Sequence, residues 1–231
     1  MSIESKEIAE AILKGNNFNY KEVKYISGGI SRCSYDPSNP GNTIIYLNKN
    51  AYKDQYESAV VGAHEAGHAL NNRSNPNHIK DLKEKHQAYL NSLLISVILC
   101  VIFSTGFGLL ATKNNLIWMS GIFTLIFILK ILWYTYAMKK YNKPYEEIYN
   151  KDEQDAEVTA EIELKNHVIN NTLNFPHLTQ VDKDKLADAM EKRLNYVKIT
   201  KKKTREHFGI AAFELGIFLI LITKILLARY L

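Results

Sequence analysis

The chain has 231 residues and a formal net charge of +5, and 46% of its residues are hydrophobic. The hydrophobic residues concentrate in three long runs with basic residues beside them, which argues against a nucleic-acid-binding protein and favours a membrane protein with polar segments. Two cysteines, Cys33 and Cys100, are too few for a disulfide framework, and the first residues lack the pattern of a signal peptide.

The first 50 residues predict one helix and a small sheet. Apolar side chains near one face make residues 3–14 an amphipathic helix. The segments 20–26 and 43–47 are rich in β-branched and aromatic residues, and turns rich in Gly, Pro and Asn separate them. We expect these two segments to form a small β-hairpin. Its edge either holds a substrate backbone in extended form or simply packs on the following helix.

The sequence H-E-A-G-H at positions 64–68 lies in a stretch that predicts a helix, residues 58–70. On a helix, His64 and His68 are four residues apart and share one face, so both imidazoles can bind one zinc ion. Glu65 then lies beside a metal-bound water, where its carboxylate can accept a proton. Small residues around the histidines leave this face uncrowded. The alternative is a surface helix with two ordinary histidines.

Three apolar runs are each long enough, at roughly 20 residues, to cross a bilayer. They cover about 91–112, 116–138 and 208–227. The polar break at 113–115 makes the first two runs a transmembrane hairpin, and the last run predicts a C-terminal transmembrane helix. The alternative, a pair of buried core helices, is weaker because little soluble chain is present to cover them.

Charge beside the apolar runs predicts their orientation. The flanks at 80–85, 139–143 and 201–205 are all basic, and such flanks stay in the cytoplasm. The chain then divides as follows: 1–90, the first part of a cytoplasmic domain, with the H-E-A-G-H helix; 91–138, the transmembrane hairpin; 139–207, the second part of that domain, with a further metal ligand; and 208–231, the C-terminal transmembrane helix.

A third protein ligand is expected from the acidic helix predicted over residues 145–167, because two histidines leave room for one more ligand and a water. Glu153 and Glu157 are four apart and share a face, so one can bind zinc while the other contacts a ligand. From the residues alone the choice stays open among five acids, namely Glu146, Glu147, Glu153, Glu157 and Glu161.

A resemblance narrows that choice. The turn Tyr35-Asp36-Pro37, the strand at 44–47 and the helix at 58–69 together resemble the YugP-like family of membrane zinc metallopeptidases. The segment E-Q-D-A-E at 153–157 is similar to that family's Glu-Phe-Asp-Ala-Ser element and to the Glu-x-x-Ala-Asp element of HtpX-like and CAAX prenyl proteases. The resemblance implies that Glu153 is the third zinc ligand and that Glu157 takes the trailing acidic position, beside the ligands.

These observations predict a mainly α-helical membrane protein. Its gluzincin-like zinc peptidase domain contains a small β-hairpin and is split by the transmembrane hairpin. The expected activity is that of a zinc-dependent endopeptidase acting on membrane or membrane-proximal proteins. It would be integral to a plasma membrane of bacterial type, with three transmembrane helices and its active site facing the cytoplasm. The expected partners are Zn²⁺, a protein or peptide substrate and the lipid bilayer, without nucleic acid.

The alternative function is a catalytically inactive zinc-binding scaffold in the membrane. Glu65 argues against it, because a site that only binds zinc needs the histidines but no base. The group that stabilises the oxyanion is not identified by the sequence. Tyr196, Arg193 and His207 are candidates by residue type alone.

Overall fold

A computed structural model describes residues 3–52, 54–110, 116–170, 175–199, 209–213 and 215–216. The chain is mainly helical, with a small sheet near the N-terminus. The elements are α1 Ser5–Gly15, β1 Glu22–Ile26, β2 Arg32–Ser34, β3 Ile44–Asn48, α2 Gln55–Ser74, α3 Pro76–Leu110, α4 Leu116–Ala137, α5 Lys143–Leu164 and α6 Gln180–Ile199. A π-helical segment, Met138–Asn142, joins α4 to α5, and another, Lys165–Ile169, extends α5.

The chain separates into two compact units. The first comprises Met1–Asp81 and Tyr149–Lys201, and the second comprises Leu82–Ile148 and Lys202–Leu231. Within the described residues, the first unit contains α1, the sheet, α2, α6 and most of α5. It is therefore built from two segments that are far apart in the sequence.

The sheet has three strands in the order β1-β3-β2. β1 pairs with β3 in parallel, with Glu22 opposite Ile44, whereas β2 pairs with β3 antiparallel, with Cys33 opposite Ile45. The predicted hairpin of residues 20–26 with 43–47 is therefore wrong, because those two strands run in the same direction. The chain between them is long enough to reverse twice, and its short strand β2 carries no β-branched residue that would have predicted it.

The core of the first unit lies between α1, α2 and the sheet. Ile8 and Ile12 on α1 are fully buried, as is Ile45 on β3. α1 and α2 approach so closely at Gly62 that a Cβ added there would lie 2.1 Å from the carbonyl oxygen of Ser5. This position needs glycine because any side chain would enter the backbone of the neighbouring helix.

In the second unit, α3 and α4 pack side by side in opposite directions. Lys130 is buried and its Nζ donates to the carbonyl oxygen of Leu99 at 3.1 Å, and Trp133 Nε1 donates to Ser96 Oγ at 3.2 Å. Many apolar side chains on the outer faces of both helices are exposed, for example Leu132 at 59%.

Within the described residues, one segment, Pro76–Ile102 of α3, has the length and composition of a membrane span. In this part of the chain, one of the three predicted spans therefore has a candidate, and the other two stay predictions. The break at 113–115 lies outside the described residues, as does most of the predicted span 208–227.

The start of α6 is tied to α2 through Asp182. Its carboxylate accepts hydrogen bonds from the backbone N–H of Thr179 at 3.0 Å, from Thr179 Oγ1 at 2.7 Å and from the hydroxyl of Tyr56 at 2.7 Å. These hydrogen bonds, from Thr179 first and then Tyr56, lower the pKa of Asp182 to about 2. The ionised side chain thus caps one helix and holds it against another.

Replacing Gly62 by alanine should destabilise the protein by roughly 1–3 kcal/mol, because the new methyl group forces α1 and α2 apart. The higher helix propensity of alanine offsets at most about 1 kcal/mol of this loss of stability. Thermal unfolding in detergent measures the effect. Gly28→Ala is the control, since nothing lies within 4 Å of a Cβ added there. Equal unfolding temperatures for both variants would contradict the close helix contact.

The Asp182 cap predicts a pH dependence of stability. Because the folded pKa lies below the unfolded value, the stabilisation is complete above about pH 4 and is lost as pH falls toward about 2. We expect Asp182→Asn to lower the unfolding temperature at neutral pH and to flatten its decline between about pH 5 and about pH 2. Asp184→Asn is the matched control, because Asp184 contacts Gln180 on the same helix. An unchanged acid profile in Asp182→Asn would refute this role.

Candidate metal centre

Helix α2 is fixed at its start and buried through its middle. Asp54 is the N-cap, and its side chain accepts from the backbone N–H groups of Tyr56 and Glu57. Further along, a Cβ added at Gly67 would lie 2.4 Å from the carbonyl oxygen of Ala156 on α5. Since only hydrogen fits between the two backbones, the face of α2 that carries the histidines lies directly against the acidic face of α5.

The three predicted zinc ligands meet at this contact. His64 Nε2 lies 3.1 Å from His68 Nε2 and 3.4 Å from Glu153 Oε2, and His68 Nε2 lies 3.9 Å from Glu153 Oε1. One donor atom from each residue lies within 4.8 Å of the others. Ligands at tetrahedral zinc, bound at 2.0–2.2 Å, are about 3.3 Å from one another. These three side chains therefore fit a zinc ion.

Carboxylates also lie at the other nitrogen of each imidazole. His64 Nδ1 is 3.0 Å from Glu157 Oε1, and His68 Nδ1 is 3.2 Å from Asp152 Oδ2. A carboxylate this close to Nδ1 favours a proton there, which would leave Nε2 to bind a metal. Glu157 thus lies beside Nδ1 of His64, and Asp152 lies beside Nδ1 of His68.

The sequence reasoning missed Asp152 and His78. Asp152 contacts His68 through one oxygen and His78 Nε2 through the other, at 3.1 Å. Asp152 directly precedes Glu153, and acidic residues on a helix are common. The spacing of the acids therefore gave no reason to assign Asp152 to the site. His78 lies at the start of α3 and carries no motif, so its contact depends on the fold alone.

Two of the three candidates for oxyanion stabilisation, Arg193 and Tyr196, lie on α6. Arg193 on α6 donates through Nε to Glu157 Oε1, so its guanidinium holds the carboxylate that lies beside His64 Nδ1. Tyr196 is 66% exposed on the same helix. His207 lies outside the described residues.

The metal centre is buried and rich in negative charge. Burial raises the pKa of Glu65, although His64 and His68 oppose this shift. Burial also acts to raise the pKa of Glu153, but His64 and His68 outweigh it and lower the value to about 2. Similarly, burial favours neutral His64, yet Glu153 and Glu157 raise its pKa to about 9. Four acidic side chains, Glu65, Asp152, Glu153 and Glu157, therefore surround the two histidines, and a bound divalent cation would offset part of their charge.

Removing the carboxylate behind His68 should weaken zinc binding. We expect Asp152→Ala to raise the dissociation constant for zinc about 10–100-fold, because His68 loses the acid that orients its ring. Competition with a chromogenic chelator at fixed pH measures this. Asp155→Ala is the control, because Asp155 is exposed on the same helix. Wild-type affinity in Asp152→Ala would show that the contact does not orient the ligand.

Comparison with known proteins concerns the part of the chain that contains α2. A family model described as "Putative neutral zinc metallopeptidase" matches residues 1–133, more than half of the chain. No curated protein and no solved structure matches the chain. The matched region includes α2 with both histidines and Glu65, whereas Glu153 and Glu157 lie beyond it. The chain therefore belongs to this family of zinc metallopeptidases, whose cofactor is Zn²⁺ and whose substrates are proteins or peptides.

Proposed function

We propose that the protein is a membrane-anchored zinc endopeptidase of the gluzincin type, in which His64, His68 and Glu153 hold the metal. The observation that supports this most strongly is the convergence of the two Nε2 atoms and the Glu153 carboxylate within 4.8 Å. Two ligands come from one helix and the third from another. When bound, zinc polarises the scissile carbonyl and makes water more acidic.

Glu65 is the proposed general base. It follows His64 directly, is only 5% exposed and has a pKa raised by burial. A carboxylate in such a site accepts a proton from the attacking water, as the water oxygen bonds to the peptide carbon. It then delivers that proton to the amide nitrogen as the C–N bond breaks. Glu65 therefore serves as base in the first step and as acid in the second.

The remaining charged groups keep the histidines in place. Glu157 and Asp152 hold the Nδ1 sides of the two imidazoles, and Arg193 pairs with Glu157. Both carboxylates are buried. Because their positions do not depend on solvent, the metal-binding nitrogens are oriented before substrate arrives.

The edge of the sheet supports a mode of substrate binding. Cys33 on β2 lies close enough to the centre that Glu65 and Asp152 add to burial in raising the pKa of its thiol. Within the described residues, β2 pairs with β3 alone and is the last strand on its side of the sheet. We infer that an extended substrate backbone pairs with the outer edge of β2 as it enters the site.

Membrane anchoring is the second part of the proposal. The length and composition of Pro76–Ile102 and the exposed apolar faces of α3 and α4 support a transmembrane hairpin over 91–138. The basic flanks favour a cytoplasmic peptidase domain from 1–90 and 139–207, with a C-terminal transmembrane helix at 208–231. Substrates are then membrane proteins or peptides presented near the cytoplasmic face.

Two substitutions test the catalytic roles separately. Glu65→Gln should keep zinc and lose at least about 100-fold in hydrolysis of a casein-type substrate, because the proton acceptor is gone. Glu153→Ala should lose both zinc and hydrolysis, because a metal ligand is gone. Zinc content per chain and the hydrolysis rate of the detergent-purified protein are the two measurements.

The outcomes separate the alternatives. Full zinc in Glu153→Ala would move the third ligand to another acid, with Glu157 the next choice. A wild-type protein that binds zinc but cleaves nothing would favour the non-catalytic scaffold. A protein without zinc in every form would refute the assignment of this site.

A further inference from the structure

Asp152 lies between two histidines, and one of them has no part in the proposed function. Its Oδ2 atom is 3.2 Å from Nδ1 of His68, and its Oδ1 atom is 3.1 Å from Nε2 of His78. His68 is a proposed zinc ligand, whereas His78 is not among the three proposed ligands. The two imidazoles are therefore joined through opposite oxygens of one carboxylate.

The chain must turn sharply to bring His78 to this carboxylate. His78 follows His68 by ten residues, and in one continuous helix it would lie about 15 Å further along the axis. Instead, α2 ends and α3 begins on either side of Asn75, whose backbone is not helical. The backbone N–H of His78 donates to the carbonyl oxygen of Asn75 at 3.0 Å. The break between the two helices thus turns His78 back toward Asp152.

The first turn of α3 is anchored beside the metal centre. Ile79, the residue after His78, is 8% exposed and belongs to the hydrophobic core of the first unit. The side chain of His78 is 16% exposed and that of Asp152 is 11% exposed. Because little water reaches either group, a hydrogen bond between them is stronger than one at the protein surface.

A carboxylate needs a second partner to keep its orientation. Rotation about the bond between Cβ and Cγ of an aspartate is soft, so a carboxylate with a single contact can swing. An ionised carboxylate only accepts hydrogen bonds, so Nε2 of His78 must be the donor to Asp152. That bond fixes one oxygen of the carboxylate, and the other oxygen then stays directed at Nδ1 of His68.

We propose that His78 is a positioning residue for the metal centre and acts on His68 only through Asp152. His78 fixes the carboxylate, the carboxylate orients the imidazole, and the imidazole presents Nε2 to zinc. This proposal rests on the ligand set of the proposed function. It makes the first turn of α3, where the candidate membrane span Pro76–Ile102 begins, a support of the zinc site.

The first measurement is zinc affinity, by competition with a chromogenic chelator at fixed pH. His78→Ala should raise the dissociation constant for zinc about 3–10-fold, less than the loss of the carboxylate itself, because Asp152 remains but can swing. Asn77→Ala is the control, since Asn77 is exposed in the same turn of α3, and it should keep wild-type affinity. Unchanged affinity in His78→Ala would overturn the proposal.

Two amide substitutions separate the hydrogen bond from simple packing. The amide nitrogen of glutamine is as many bonds from Cα as Nε2 of histidine, whereas the amide nitrogen of asparagine is one bond closer. We therefore expect His78→Gln to keep most of the wild-type zinc affinity and His78→Asn to resemble His78→Ala. Equal losses in the Gln and Asn variants would show that the site does not need this hydrogen bond.

A double-mutant cycle tests whether His78 acts through Asp152. In an Asp152→Ala background, His78→Ala should have no further effect on zinc affinity, because the carboxylate that joins the two histidines is absent. Losses that add would mean that His78 influences the metal by another route, which contradicts the proposal.

Cobalt gives a spectroscopic measurement of the same effect. Co²⁺ bound in place of zinc absorbs visible light, and its spectrum depends on the geometry of the ligands. His78→Ala should change this spectrum, and His78→Gln should restore it. A spectrum identical to wild type in His78→Ala would show that the ligands keep their geometry without His78.

Failure of this proposal is distinguishable from failure of the proposed function. A wild-type protein that binds zinc and cleaves peptides, with equal affinity in His78→Ala, keeps the peptidase and removes His78 from its metal centre. A wild-type protein that binds zinc but cleaves nothing refutes the peptidase, while the expected order of affinities would still support the role of His78. A wild-type protein that binds neither zinc nor cobalt overturns both.

Discussion

The close contact of α2 with α5 is the constraint on which the metal centre depends. Gly67 lies where a Cβ would be 2.4 Å from the carbonyl oxygen of Ala156. Any larger residue would separate the helices and move Glu153 away from the two histidines. The glycine inside the H-E-x-x-H sequence is therefore a packing requirement, which places a carboxylate from a distant segment within reach of both imidazoles.

A chain of contacts then joins three helices to this centre. Arg193 on α6 holds Glu157 on α5, and Glu157 lies beside His64 on α2. Asp152 contacts His68 in the same way and also reaches His78. Acids buried at such density repel one another, so a bound zinc ion would also act as a structural cation. Its removal should loosen the packing of the helices that carry these acids.

Local patterns predicted part of this arrangement. The positions of His64 and His68 follow from helical spacing, so the sequence alone placed both on one face. Glu153 is remote from them, and its choice among five acids needed a family resemblance. Asp152 and His78 could not be predicted, because their contacts arise from the packing of α2, α3 and α5. The parallel pairing of β1 with β3 was missed because β2, only three residues long, gave no pattern of its own.

The discontinuous first unit has a consequence for biosynthesis. The two histidines are translated about 85 residues before Glu153, a delay on the order of ten seconds during synthesis. In that interval the nascent chain carries α2 but neither Glu153, the proposed third ligand, nor Glu157, the acid beside His64. Since α3 and α4 are made in between, the centre is completed only after both have left the ribosome. With the proposed ligand set, an unfinished chain therefore lacks a complete zinc site.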